Sequence, residues 1–336
     1  MIAKFHARAI SELKGSRLVA CHSRSADKAN NFAKEFGCTA YDDLSKMLAD
    51  PKVEIVTICT PSGAHLEPGI AAAKAGKHVL VEKPLEVTTA RCDRLIAACD
   101  RAGVRLGTIF PSRFHRSAQL LKDAVEQNRF GTISLAAAYV KWFRTQAYYD
   151  SGKWRGTWQL DGGGALMNQA IHSVDLLLWL MGPVKSVSAM TALRAHERIE
   201  VEDAANAILE FESGALGTIE ATTAAYPGSL KRIEIAGLIG SATLEEEAIT
   251  QWKFLKTTKS DTKILAQMVG NVTGGGAADP AAIGHKAHRD LFADFLTSIR
   301  KNSPSSIDGN EGRKSVELIT AIYRSAAGGK RVALKR

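Results

Sequence analysis

Between residues 17 and 110 the chain alternates short, continuous apolar runs with stretches of good helix formers, and this pattern restricts the fold more than any other feature. The runs are RLVAC (17–21), VEIVTIC (53–59), HVLVE (78–82) and VRLGTIF (104–110), with helical segments between them over 27–35, 67–75 and 89–102. Apolar runs of this length between helices predict a parallel sheet covered on both faces. Such sheets bind ligands beyond the carboxyl ends of their strands. Ser23, Arg24, Thr60 and Lys83, which follow the runs, are therefore expected to face one crevice. A doubly wound nucleotide domain opens with a strand and a GxGxxG turn. This sequence opens instead with a helix over 2–13 and contains no GxGxxG, so the first strand is expected to be lacking and the central position of the sheet empty.

From about residue 112 the pattern changes. A helix over 112–128 precedes a long strand, ISLAAAYVKW (133–142), and a helix over 164–181. Four strand signals follow, KSVSAMTAL, ANAILEF, GALGTIEATT and RIEIAG, with a hairpin turn at Glu212-Ser213-Gly214. A mostly antiparallel sheet in an α+β domain is the expectation. GNVTGGGAA (270–278) reads as a loop, and two helices, about 285–300 and 310–327, close the chain.

Composition narrows the function classes. The 336 residues make about two domains at roughly 150 residues each, and 45% apolar with 24% charged residues excludes a disordered or fibrous chain. A membrane span needs about 20 apolar residues, and the best run, 176–181, is far shorter. The N-terminus has no signal-peptide pattern. Five scattered cysteines without a CxxC pair read as reduced thiols in a cytoplasm, not a disulfide frame or a metal site. The net charge of +9 is spread along the chain. Its densest cluster (Lys330, Arg331, Lys335, Arg336) lacks interleaved aromatics, which argues against nucleic acid and suits a small phosphate-bearing ligand.

Three segments carry chemistry. Glu82-Lys83-Pro84 follows a buried strand, and a proline restricts the backbone before it, so the Lys83 ammonium is aimed and can steady an alkoxide. In GGGALMNQAIHSVDLLLWLMG (162–182), Asn168, His172 and Asp175 are spaced to share one helical face, opposite Leu166, Ile171, Val174, Leu177 and Leu178. Histidine's ordinary pKa, about 6.5, suits proton transfer near neutrality. KWFRTQAYYDSGKWRGTW (141–158) groups Lys141, Arg144, Tyr148, Arg155 and several aromatics, a set suited to sugar rings and anionic groups.

Together these segments resemble the glucose–fructose oxidoreductase, inositol dehydrogenase and MocA family of NAD(P)-dependent oxidoreductases. The likeness runs through MIAKFHARAI, Tyr41-Asp42-Asp43-Leu44, TPSGAH (60–65), AGKHVLVEKP (75–84), GGG…NQAIHSVD (162–175) and DGNEGRKSVELITAIYRSA. It implies a Rossmann domain over 1–110, N-terminally incomplete, and an α+β domain with a large open sheet over 111–336 that binds substrate and makes a homodimer or homotetramer. It implies hydride transfer between nicotinamide and a secondary hydroxyl or ketone of a sugar, cyclitol or sugar derivative. By position, Lys83 is the catalytic lysine and His172 the proton-transferring histidine. Asn168 stands where the family often has Asp; an amide cannot take a proton, so Asn168 is expected to orient substrate or His172. Dinucleotide contacts are expected from Ser23, Arg24, Lys28, Thr60, Pro61, His65, Glu82 and Lys83. Substrate contacts are expected from Lys83, Lys141, Arg144, Tyr148, Arg155, Asn168, His172 and Asp175. An acid at the end of the second strand would select NAD. Here Ser23-Arg24 and Lys28 favour NADP(H), with NAD(H) possible. A redox-silent regulator on the same fold is the alternative, against which the retention of Lys83 and His172 argues.

Overall fold

The computed structural model describes residues 2–268 and 285–334. They fall into two compact units, one of residues 2–111 and 285–313, the other of residues 112–268 and 314–334.

The first unit runs α1 (Ile2–Ser11), β1 (Ala20–His22), α2 (Ala26–Phe36), β2 (Thr39–Tyr41), α3 (Leu44–Ala49), β3 (Ile55–Ile58), α4 (Leu66–Lys74), β4 (His78–Val81), α5 (Thr89–Ala102) and β5 (Leu106–Thr108). Local chemistry sets the helix ends. The Ser25 hydroxyl accepts from the Lys28 N–H at the start of α2, and Gly37 takes the left-handed conformation (φ 68°) that ends it. Thr88 and Gly103 bound α5 in the same way. All strand pairs are parallel, but the sheet is in two pieces, β1-β2 and β3-β4-β5. β1 and β3 each carry an edge with no strand partner among the described residues. Val79, Leu80 and Val81 of β4 are buried, as a strand covered on both faces requires.

The second unit holds α6 (Arg116–Glu126), β6 (Ile133–Lys141), α7 (Gln146–Asp150), a π-helix (Ala165–Ala170), α8 (Ile171–Met181), β7 (Val184–Ala192), β8 (Ala204–Phe211), β9 (Leu216–Thr222), β10 (Arg232–Gly237), β11 (Gly240–Glu245), β12 (Ala248–Phe254), α9 (Lys259–Met268) and β13 (Val332–Ala333). Eight strands form one sheet in the order β12-β11-β10-β6-β9-β8-β7-β13, antiparallel except where β6 meets β9. The expected hairpin at 212–214 is present, with Gly214 at φ 87°. β6 turns Ala136, Ala138 and Val140 inward. The other face of the sheet exposes Leu135, Met190, Ile208 and Leu216.

The domain boundary read from the sequence needs correction. α10 (Lys286–Arg300) and the first turn of α11 (Gly309–Gly328) belong to the first unit, although the boundary at 110/111 assigned them to the second. The cause is the apolar stripe of α10: Phe292 meets the His6 ring of α1 edge-on at 5.2 Å, and Phe295 lies over Gly107 of β5. The expected helix over 164–181 is also two elements, since its first six residues wind as a π-helix. The loop expected at 270–278 lies outside the described residues.

Candidate functional site

In the first unit the strand ends bring short polar segments out of a buried sheet. After β1, the Ser23 hydroxyl oxygen accepts from the Ser25 N–H at 3.2 Å. Arg24 and Lys28 point to solvent and have no ion-pair partner among the described residues. After β3, the Thr60 hydroxyl donates to the Ala64 carbonyl at 2.8 Å, and Pro61 leads into a short 3-10 turn. After β4 come Glu82, Lys83 and Pro84, the last two joined by a cis peptide bond. Lys83 is half-buried.

Two residues expected to touch the dinucleotide have their side chains committed to protein instead. His65 is 1% exposed, and its ring nitrogens lie 2.9 Å from the Pro84 carbonyl and 3.0 Å from the Thr60 carbonyl, tying two strand-end loops together. Burial pushes its pKa down. Glu82 is 7% exposed; one carboxylate oxygen faces His6 Nε2 at 2.8 Å and the other accepts the Lys83 N–H at 3.1 Å. Burial alone would raise this carboxyl, but His6 holds it below its ordinary value. For His6 burial pulls the other way, and Cys59 and Glu82 outweigh it, lifting the imidazole to about 10. The result is a buried ion pair under the strand end that carries Lys83. His288 completes the one group of metal-ligand type found among the described residues, with ligand atoms within 4.8 Å of one another. His6 and Glu82 already satisfy each other across it.

In the second unit a connected polar network surrounds the π-helix. Arg144 donates to Gln169 Oε1 at 3.0 Å. Gln169 Nε2 reaches the Tyr148 oxygen at 2.8 Å and Asn168 Oδ1 at 2.9 Å. Asn168 Nδ2 donates to Asp161, whose other oxygen accepts the Gly156 N–H. Arg155 donates to the Tyr148 oxygen at 2.5 Å and stacks on that ring, its guanidinium 4.1 Å from the centroid. The Tyr148 oxygen accepts in both of these bonds, and neither uses its own proton. Burial raises the pKa of that phenol, which keeps the proton in place. Asn168 and His172 are half-buried, whereas the residues around them on the π-helix and the first turn of α8 are buried.

Two expected substrate residues stand elsewhere. Lys141 alternates with the inward Val140, so it emerges on the open face of the sheet, where it pairs with Glu220 at 2.8 Å. Asp175 is fully buried, and both of its oxygens are taken by the Arg113 guanidinium, at 2.6 and 2.9 Å. Its place in the sequence resembles a site residue, but its geometry is that of a packing anchor for α8. Asp161 and Gln169 were missed. Each adjoins a residue that was singled out, the glycine run and Asn168, but neither has a periodicity or motif of its own.

Comparison with known proteins agrees with this architecture. Residues 1–110 match the family model described as an oxidoreductase family with an NAD-binding Rossmann fold, and residues 118–243 match the GFO/IDH/MocA C-terminal domain. The myo-inositol 2-dehydrogenase of Thermotoga maritima is 28% identical over 333 residues, 96% of this chain and 93% of that one. The WlbA dehydrogenase of Bordetella pertussis, solved with NADH and UDP-GlcNAcA, is 37% identical with a TM-score of 0.90, covering all of this chain and 95% of that one. Its Chromobacterium violaceum counterpart, also solved with NADH and UDP-GlcNAcA, is 35% identical with a TM-score of 0.88 over 99% of this chain and 93% of that one. The chain belongs to the Gfo/Idh/MocA family of NAD-binding oxidoreductases.

Proposed function

We propose that this protein is an NAD(P)-dependent dehydrogenase or reductase acting on a secondary CH–OH group of a sugar or sugar derivative, with an acidic, nucleotide-linked sugar as its substrate class. The observation that carries this reading is the network joining Arg144, Tyr148, Arg155 and Gln169 to Asn168. It offers a phenolic donor and two guanidinium groups, a set that recognises sugar hydroxyls and carboxylates. Arg155 has no carboxylate partner among the described residues, so its charge remains for a ligand. The WlbA dehydrogenases support the acidic class, since their solved complexes hold UDP-GlcNAcA.

The strand ends fit a dinucleotide: parallel strands deliver Ser23 and Arg24, Thr60 and Pro61, and Lys83 at their carboxyl ends. When bound, the nicotinamide supplies the hydride chemistry. His172 removes the proton from the substrate hydroxyl, and Lys83 steadies the developing oxyanion. Asn168, fixed through Asp161 and Gln169, orients the substrate. An absorbance assay at the reduced-nicotinamide band against sugars, inositols and a UDP-linked uronic acid tests the reading. Turnover is expected with the last of these. Absence of turnover with all of them together with absence of dinucleotide binding would overturn it.

For the cofactor, Ser23 and Arg24 stand where an acid selects NAD, so NADP(H) is the preferred form. An Arg24 bond to the 2′-phosphate is worth about 1.5–3 kcal/mol, roughly ten- to a hundredfold in affinity. Arg24→Ala should weaken NADP binding by that factor in calorimetry and leave NAD nearly unchanged. Equal loss for both would make Arg24 a plain surface charge.

The exposed sheet face is proposed to pair with a second copy of the chain. Leu135 and Leu216 are cross-strand partners, and Ile208 and Met190 continue the patch on β8 and β7. Met190 is 80% and Ile208 63% exposed, more apolar surface than an isolated subunit leaves wet without cost. Ile208→Glu with Met190→Glu should give a monomer in sedimentation, and an unchanged mass would refute this interface. No helix among the described residues is long and apolar enough to cross a membrane. The five free cysteines support a reducing compartment, the cytoplasm.

A further inference from the structure

The glycine run before Asn168 and His172 has a receptor within the second unit. Glu202, 5% exposed, grips three successive backbone N–H groups there. One carboxylate oxygen accepts from Gly164 at 3.0 Å, the other from Leu166 at 2.8 Å, and the Glu202 carbonyl accepts from Ala165 at 3.0 Å. These are the N–H groups that the start of the π-helix leaves without internal partners. Tyr323 of α11 adds a fourth bond, its hydroxyl donating to the carboxylate at 3.0 Å. The glycines make the approach feasible. A Cβ on Gly164 would collide with the Glu202 carbonyl, and one on Gly163, at φ 152°, with the Tyr323 hydroxyl.

We infer that Glu202 is a positioning residue: its ionised carboxylate fixes the start of the π-helix and so sets where Asn168 and His172 stand. The inference rests on the dehydrogenase reading for the importance of those two residues. A carboxylate suits the site because it accepts strongly on both oxygens; protonation turns one oxygen into a hydroxyl that donates and accepts only weakly, and an amide replaces it with an NH2 that cannot accept. Burial raises the Glu202 carboxyl to about 7, against the pull of the Leu166 and Gly164 N–H groups and Tyr323. Among the described residues, the groups that act most strongly on this carboxyl include no cation. Asp161 faces Tyr323, and the carboxylate of neighbouring Asp203 accepts from Arg194, Ala195 and His196 instead. The grip is therefore complete above about pH 7 and weakened at one bond below it.

Hydrogen exchange of the peptide spanning 163–170, corrected for the intrinsic pH dependence, tests this in the intact protein. In the unsubstituted chain protection should fall about tenfold or more between pH 8 and pH 6, the worth of one bond to a charged acceptor. In Glu202→Gln it should be low and independent of pH. With substrate, Glu202→Gln and Gly164→Ala should both lower kcat about tenfold or more, with dinucleotide Kd unchanged, because a bond of that worth is lost beside His172. A residue that only stabilised the fold would lower Tm without separating kcat from Kd. Glu202→Asp, one methylene too short to span Gly164 and Leu166, should not rescue. Protection that is flat with pH in the unsubstituted chain, or wild-type kcat in both variants, overturns the inference. If the variants do not fold, the pH series on the unsubstituted chain decides alone. Exchange reads the grip whatever the protein catalyses. Full turnover in His172→Ala would therefore remove His172 from the mechanism and leave the grip standing, whereas absence of any turnover or dinucleotide binding would sink the dehydrogenase reading and also leave the grip standing.

Discussion

Lys83→Ala and His172→Ala are each expected to lower kcat by about a hundred- to ten-thousandfold, the usual worth of a positioned proton-transfer group or an oxyanion donor. Both should keep the fold, because neither side chain is part of the core: each is half-buried while its neighbours are buried. Lys83 follows Val81 and Glu82, which the sheet and the His6 pair hold in place without it. His172 follows Ile171 and precedes Ser173 and Val174, all buried, so removing the imidazole leaves the packing of α8 intact. Steady-state kinetics with thermal melts and dinucleotide binding checks the expectation. Loss of turnover with unchanged Tm and Kd is the expected result, and wild-type turnover in either variant would remove that residue from the mechanism. Asn168→Ala should do less harm to kcat and more to KM, since an amide orients but takes no proton.

How far the sequence could be read depends on where the signal is local. β4 was legible because HVLV is a continuous apolar run between glycine and proline, and α5 because Thr88 and Gly103 mark both ends. Lys83 and His172 were singled out by a motif pair in the right order, and their catalytic roles belong to the proposal that the variants above test. Other features depend on contacts that no window of sequence contains. The π-helix over Ala165–Ala170 looks like α-helix in composition, and what widens it is not local: its first N–H groups are held by Glu202, 36 to 38 residues away. Lys141 and Arg144 are three apart in one basic, aromatic segment, yet strand alternation sends Lys141 to the open sheet face while Arg144 is buried against Gln169. α10 reads as one of two closing helices, and only its packing on His6 and Gly107 places it in the first unit. His65 and Glu82 sit in motifs that predict ligand contact, but both are at strand ends crowded by carbonyls and by His6. A motif fixes where a residue stands in the chain and leaves open which way its side chain turns.

Asp175 gives the clearest case of that distinction, and it carries the second large effect. Its carboxylate and the Arg113 guanidinium form two parallel bonds with side chains 1% and 5% exposed, so both charges are out of water. Ser315 lies 3.5 Å from the same carboxylate, and Arg113 rests over the Trp179 ring at 5.7 Å. Breaking one side of such a pair leaves the other charge buried and unmatched, at a cost of about 3–5 kcal/mol. Asp175→Asn, which changes shape little, should therefore destabilise by about that amount in urea. Arg113→Met should do the same by stranding the carboxylate. The double variant Arg113→Met/Asp175→Leu should recover most of the loss, because two apolar side chains of similar volume need no countercharge. If Asp175 touched substrate instead, Asp175→Asn would raise KM or lower kcat with stability unchanged, and the double variant would be no better than the single. Stability, not turnover, is where the Asp175 variants should show their effect.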